Sequence, residues 1–191
     1  KIDKLLHPTT IGIIGVSATR HNFGRIIVDN IIAAGFNPQN LVIIHDKEEV
    51  IAAIPCIPSL ARLHHKLDLL VVAINATGVP ALIQEIIALD AAHSVLLIPG
   101  AMGETLDSRE RATEVIAAIH ARHGRDHGGP VFLGANSMGI ISRPGRYDTW
   151  FIPEAKLPKE RGTSYRRAAL VSQSGAFMLN RSHQCPELRP A

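Results

Sequence analysis

Aromatic side chains are scarce in this sequence, cysteine is nearly absent, and neither sign of charge dominates. Phe, Tyr and Trp together make up only 4% of the 191 residues, although 46% are hydrophobic. A core of this composition is mostly Ile, Leu, Val and Ala, the mixture that suits parallel strands buried on both faces. Cys56 and Cys185 are the only cysteines. Two thiols that far apart make no disulfide framework, so a reducing, cytoplasmic setting is expected. Lys and Arg number 20 against 17 Asp and Glu, an excess of +3 with no basic block. That balance argues against nucleic acid as a partner. No apolar run reaches the ~18 residues of a membrane span and no signal-like segment opens the sequence, so no membrane partner is expected either.

What is present is a regular alternation of short apolar runs and amphipathic segments. Strands are expected at Ile11–Ile14, Leu41–Ile44, Leu67–Ile74, Ser94–Ile98 and Val131–Leu133. Helices are expected over about Gly24–Ala34, over Pro80–Leu89 with its proline in the first turn, and over Ser108–His123. In the last of these Ala112, Val115, Ile116 and Ile119 are read as one apolar face. Strand and helix joined by connections of a few residues call for an α/β fold: a Rossmann-like, doubly wound parallel sheet with helices on both faces. From Ser142 the character changes. Residues 142–167 hold three prolines, half of the aromatics and then a basic stretch, and are expected to form a linker or loop. Ala168–Ser172 reads as the opening strand of a second domain over 168–191, of which the chain would carry only the start.

Ligands of such sheets sit beyond the carboxyl ends of the strands. The segments just after the strands are Gly15–Arg20, His45–Lys47, Asn75–Gly78, Pro99–Glu104 and Gly134–Gly139, and they hold much of the chain's Gly, Ser, Thr and Asn. In the first of them, Gly15 lets the backbone turn sharply. The small Ser17, Ala18 and Thr19 let a phosphate approach main-chain N–H groups, and the helix that follows offers its positive end. Arg20 or Arg25 could meet the same phosphate. The turn does not spell Gly-x-Gly-x-x-Gly, which argues against a standard dinucleotide site. Asp46 ends the second strand where a nicotinamide enzyme places its ribose-binding carboxylate, whereas the adjacent Lys47 suits a sugar phosphate. Glycines at positions 100, 103, 134 and 139 favour a continuous cleft, with Asn136 as a polar group in it, and Glu104 is read as a helix-start carboxylate. No metal site is expected, since neither His64-His65 nor His120 with His123 has further ligands at suitable spacing. Ser172 and Ser174 do not make a nucleophile elbow.

Six motifs in order resemble a known family. They are Pro8-Thr-Thr-Ile-Gly-Ile-Ile-Gly-Val-Ser with Asn22-Phe-Gly; Ile54-Pro-Cys-Ile-Pro-Ser-Leu; Asp68-Leu-Leu-Val-Val-Ala-Ile; Ile98-Pro-Gly-Ala-Met-Gly-Glu; Gly134-Ala-Asn-Ser-Met-Gly; and Ser172-Gln-Ser-Gly-Ala. Over roughly residues 5–180 the chain is similar to the CoA-binding domain of NDP-forming acyl-CoA synthetases, relatives of the succinyl-CoA synthetase α subunit. The resemblance implies a CoA-binding domain over 1–141 and coenzyme A as the ligand. By the same resemblance Gly15, Ser17, Ala18, Thr19 and Arg20 form the first loop, and Lys47 is the basic residue after the second strand. Asn75 and Ala76, then Pro99, Gly100 and Ala101, are the later loops, and Asn136 stands near the thiol end. The family interconverts acyl-CoA, NDP and phosphate with acid, CoA and NTP through an acyl phosphate and a phosphohistidine. The implied partner is an ATP-grasp or β-type subunit or domain of the same ligase. No His of this chain matches the phosphohistidine and no catalytic residue is assigned, so the chain is expected to bind CoA without completing the ligation alone.

There are departures from the family pattern. His45-Asp46 stands where relatives often carry Asn-Pro, and a carboxylate there repels a phosphate. Ala135 replaces the proline of Gly-Pro-Asn. Two other readings stay open at this point: the Rossmann domain of an NAD(P)-dependent oxidoreductase, favoured by Asp46, and a non-catalytic CoA- or nucleotide-sensing module.

Overall fold

The computed structural model describes residues 1–125, 128–159, 164–188 and 190–191. Along the chain the elements are α1 (Ile2–Leu6), β1 (Ile11–Ile14), α2 (Phe23–Ala33), β2 (Leu41–Ile44), β3 (Val50–Ile51), β4 (Ile54–Ile57) and β5 (Leu67–Val72). Then come α3 (Val79–Ala88), β6 (Ala92–Leu97), α4 (Arg109–His123), β7 (Val131–Leu133), β8 (Ile141–Ser142), β9 (Tyr147–Asp148) and α5 (Gly175–Gln184). Seven strands form one sheet in the order β3-β4-β2-β1-β5-β6-β7. All neighbours in it pair in parallel except β3 with β4 at the edge. The chain winds one way from β1 to β2 and β4, then returns to β1's other side and winds through β5, β6 and β7. The doubly wound parallel sheet expected from the alternation is therefore present.

Both faces are covered, which explains why the central strands read as continuous apolar runs. Ile11, Ile13, Ile43, Leu69 and Val71 meet Ile27, Val28 and Ile31 of α2 on one face. On the other, Leu70, Val72, Val95 and Leu97 meet Val79, Ile83 and Ile86 of α3 and Val115 of α4. Each fully buried side chain of this size contributes about 1.5–3 kcal/mol, so core burial outweighs any single loop hydrogen bond in placing the strands. The register then sets the loops. Ile44 pairs with Ile14, Ile14 with Val72 and Val72 with Leu97, so the turns after β2, β1, β5 and β6 leave the sheet at one level.

Several expectations are corrected. Residues 73 and 74 lie beyond the end of β5. On α4, Val115 is buried but Ile116 is 53% exposed, because adjacent residues on a helix point about 100° apart. Residues 168–172 form no strand, and Val171 is 90% exposed; a strand needs a ladder partner, and the chain instead turns into α5. The expected linker over 142–167 is, up to Lys159, a packed strap. It contains the β8–β9 pair, and Tyr147, Trp150 and Leu157 are buried. Tyr147 donates its hydroxyl to the Leu5 carbonyl at 2.6 Å. Residues 160–163 of that expected linker lie outside the described residues. Proline and loop-like composition hid the strap because its order comes from packing on α2, which has no local period.

At the opposite end of the sheet, Asp68 on β5 fastens the N-terminal segment. Its buried carboxylate accepts from the Thr9 N–H at 2.8 Å and the Thr9 hydroxyl at 2.6 Å, and lies 3.1 Å from Lys4 Nζ. Burial pushes the carboxyl up, but the Thr9 hydrogen bonds and the Lys4 ammonium outweigh it and hold it below the usual carboxylate range. A depressed folded-state pKa contributes stability that is present above about pH 4 and lost as pH falls through the folded value. Asp68→Asn should therefore lower unfolding free energy by about 1–3 kcal/mol at neutral pH. In urea unfolding from pH 7 to pH 3, the gap between the variant and the parent protein should close toward the acid end.

Candidate functional site

The strand order reverses between β1 and β5, and a crevice opens there beyond their carboxyl ends. Gly15 occupies this point. It has φ +95°, and a Cβ on it would lie 2.6 Å from the Ala73 carbonyl carbon of the neighbouring strand end. Only glycine allows the loop after β1 to run this close to the backbone after β5. Gly24, in the first turn of α2, meets the same loop from the other side, where a Cβ would lie 2.8 Å from the Gly15 carbonyl carbon. The first turn of α2 thus meets the loop in a close backbone-to-backbone contact.

Asn22 ties the two together. As N-cap of α2 its side-chain oxygen accepts from Arg25 N at 3.0 Å, and the same oxygen accepts from Ser17 N at 3.2 Å. Its amide nitrogen donates to the Gly15 carbonyl at 2.7 Å. Ser17 Oγ in turn accepts from the amides of Thr19 at 3.3 Å and Arg20 at 3.1 Å. The Ser17 hydroxyl therefore holds the turn and keeps its own proton to donate outward. Ala18, Thr19 and Arg20 are exposed at the tip. Arg25, a candidate for the phosphate, instead has its Nε 3.4 Å from Asp29. In the sequence Asn22 and Gly24 stood out only as parts of the Asn22-Phe-Gly motif; their partners seven and nine residues away gave no signal of a brace.

The turn after β2 flanks this loop by one strand spacing, about 4.8 Å. His45 Nδ1 accepts from Lys47 N at 3.2 Å and Glu48 N at 3.1 Å, which leaves the side chains of Asp46 and Lys47 exposed. After β5, Asn75 Oδ1 accepts from the amide and hydroxyl of Thr77, each at 3.2 Å, and so caps the short turn Ala76–Gly78.

The loops after β6 and β7 are knitted together. Asn136 donates its N–H to the Pro99 carbonyl at 2.9 Å and Ser137 donates to Leu97 O at 3.2 Å. Asn136 and Ala101 both have φ +54°. Asn136 Oδ1 lies 3.2 Å from where a Cβ on Gly100 would stand, so Gly100 gives the side-chain amide access to the loop. The Glu104 carboxylate accepts from Met102 N, and Arg111 Nη1 donates to the Ala101 carbonyl at 2.6 Å. Glu104 is thus a loop brace rather than a group at the start of α4. In order along the sheet edge the five loops carry Lys47, then Gly15–Arg20, then Asn75 and Ala76, then Pro99–Ala101, then Asn136. Four strand spacings separate the ends of this row, roughly 19 Å, which suits a nucleotide with a long arm.

Cys56 is a half-buried free thiol on β4, and burial pushes its pKa up, which keeps it a thiol rather than a nucleophile. Among the described residues no group of three or more His, Cys, Asp or Glu is placed to hold a metal ion, and no helix is long and apolar enough to cross a membrane.

A family model described as a CoA binding domain matches residues 9–141. The chain is 24% identical over 178 residues to an ADP-forming acetate–CoA ligase of Archaeoglobus fulgidus, with 93% of this chain and 24% of that protein covered. It is also 24% identical to the α subunit of the Pyrococcus furiosus ADP-forming acetate–CoA ligase, with 92% and 36% covered. It thus spans about a quarter to just over a third of these relatives' length. Among solved structures, a dinucleotide-forming acetyl-CoA synthetase of Ca. Korarchaeum cryptofilum, in complex with phosphate and ADP, superposes with a TM-score of 0.79 at 19% identity. That match covers 100% of this chain and 38% of the other. A Pyrococcus horikoshii protein gives a TM-score of 0.80 at 18% identity, covering 98% and 39%. At these identities the structural likeness carries the fold.

The brace makes a direct prediction. Asn22→Ala should cost about 0.5–2 kcal/mol of stability, the range for a lost N-cap, and should speed hydrogen exchange at Ser17 and Arg25, whose amides lose their acceptor. Equal exchange at those two amides would show that the side chain does not hold the loop.

Proposed function

This chain belongs to the CoA binding domain family, and from that premise we propose that it holds coenzyme A across the carboxyl edge of its sheet. It does so as the CoA-binding part of an NDP-forming acyl-CoA synthetase. The observation that carries the reading is the seat of Gly15 at the crevice between β1 and β5, with a helix N-terminus aimed at the loop above it.

In this reading the pyrophosphate lies on the loop 15–20. The Ser17 hydroxyl donates to it, Ala18 and Thr19 let it approach the main chain, and Arg20 adds a cation. The positive end of α2 contributes about 0.3–1 kcal/mol per favourable charge in an exposed setting. Lys47 meets the ribose 3′-phosphate, with Asp46 beside it weakening that contact. Asn75 and Ala76, then Pro99, Gly100 and Ala101, line the path of the pantetheine arm, and Asn136 receives its thiol end. The domain's own chemistry is to bind and orient the thiol. The acyl-phosphate and phosphohistidine steps of acid–thiol ligation are assigned to other parts of a larger ligase, including an ATP-grasp unit as partner, and a cytoplasmic setting goes with them. The later loops favour this reading over a nicotinamide enzyme, since they extend the site well past a dinucleotide turn.

Calorimetric titration with CoA, dephospho-CoA and NAD tests it. CoA is expected to bind more tightly than dephospho-CoA, and NAD weakly or not at all; binding of NAD with no response to CoA would overturn the proposal. Lys47→Ala should weaken CoA roughly threefold to tenfold, the size of an exposed charge-assisted contact, and leave dephospho-CoA unchanged. Equal losses for both ligands would remove Lys47 from the 3′-phosphate.

A further inference from the structure

We infer that the strap from Tyr147 to Ile152 is a positioning element for the loop after β1, acting through Asn30 and the Phe23–Phe151 pair; its consequence for ligand binding rests on the CoA reading above. Asn30 lies on α2 and is buried at 3% exposure. Its side-chain nitrogen donates to the Trp150 carbonyl at 2.6 Å and the Ile152 carbonyl at 3.0 Å. Between those two carbonyls the strap projects Phe151, whose ring centre lies 4.5 Å from that of Phe23 at an interplanar angle of 30°. Phe23 is the first residue of α2 and directly follows Asn22, the residue that braces the loop.

The geometry explains why the helix needs this support at its first turn. Further along, Ile27, Val28 and Ile31 anchor α2 on the sheet. At its start the contact with the sheet side is Gly24 against the Gly15 carbonyl, which brings close approach but no side chain to bury. Phe151 supplies the missing packing from the outside. The strap is itself held in shape. Asp148, fully buried, accepts from Trp150 N at 2.9 Å and pairs with Lys159 at 2.6 Å, and the Lys159 ammonium lies 5.6 Å from the Trp150 ring centre. A rigid strap pressing on the first turn of α2 fixes Asn22, and Asn22 fixes Gly15 and Ser17. Groups that lock the supports of a binding loop set its affinity without touching the ligand.

The test uses Phe151→Ala, with Phe151→Tyr as the conservative variant and Asn30→Leu as a second break in the same contact. Hydrogen exchange is followed peptide by peptide, and CoA affinity by calorimetry. In Phe151→Ala, amides 17–26 should exchange about tenfold faster while those of β5 and β6 keep their protection, the signature of a local rather than a global opening. CoA affinity should fall roughly threefold to tenfold, as expected from losing an aromatic pair, and Phe151→Tyr should restore both. If amides 17–26 of a folded Phe151→Ala protein exchange as in the parent protein, the strap does not position the loop and the proposal is wrong. Asn30→Leu, where it folds, must show the same local change or the link through Asn30 is refuted. Failure of the unsubstituted protein to take up CoA would sink the ligand reading, while the exchange measurement would still decide the strap's role.

Discussion

Three stretches of backbone meet at the end of β1 with no side chain between them, and the site is organised around that meeting. The Gly15 turn lies against the Ala73 carbonyl on one side and against the first turn of α2 at Gly24 on the other. Any Cβ at either glycine would force the strand end, the loop and the helix apart. Because the sheet order reverses at this point, the closeness does not fill the crevice; it forms the floor of one. The level ends of β2, β1, β5 and β6 then place the neighbouring loops at the same height above that floor.

Close backbone approach has a cost. A contact made by glycines buries little apolar area, so it contributes little to holding the helix start in place. The structure offsets this with polar and aromatic supports. Asn22 satisfies the loop and the helix N-terminus at once, and the strap presses on Phe23 from outside. Three of the chain's eight aromatics, Tyr147, Trp150 and Phe151, lie in the strap, whereas the sheet is packed mostly by aliphatic side chains. The strap's aromatics thus stand beside the helix that carries the candidate ligand loop.

The charged residues follow the same division. Asp68 and the Asp148–Lys159 pair are buried and partnered, and fasten segments to the core. Arg20, Asp46 and Lys47 are exposed at the carboxyl edge of the sheet. The long side chains of Arg20 and Lys47 and their open surroundings suit contacts with a charged ligand. Asp46 and Lys47 put opposite charges side by side at the end of β2.

Much of the fold was legible in the sequence because it rests on local periods. Apolar runs of four to six residues and Pro80 in a first turn each act within a few positions, and they determine the parallel strands, the helices between them and the loops at the carboxyl edge of the sheet. The short β3–β4 edge pair escaped notice because Pro55 and Pro58 break its pattern. The strap read as a linker because its partners lie far away, Asn30 some 120 residues from Trp150 and Leu5 some 142 from Tyr147. In the site, glycine after a strand marked the turn, and Ser17 and Arg25 find their partners within four residues, but only tertiary structure decided that Asn136 meets Pro99 and Gly100. That contact is set by where the sheet brings distant backbones together, and no short window of sequence contains both partners.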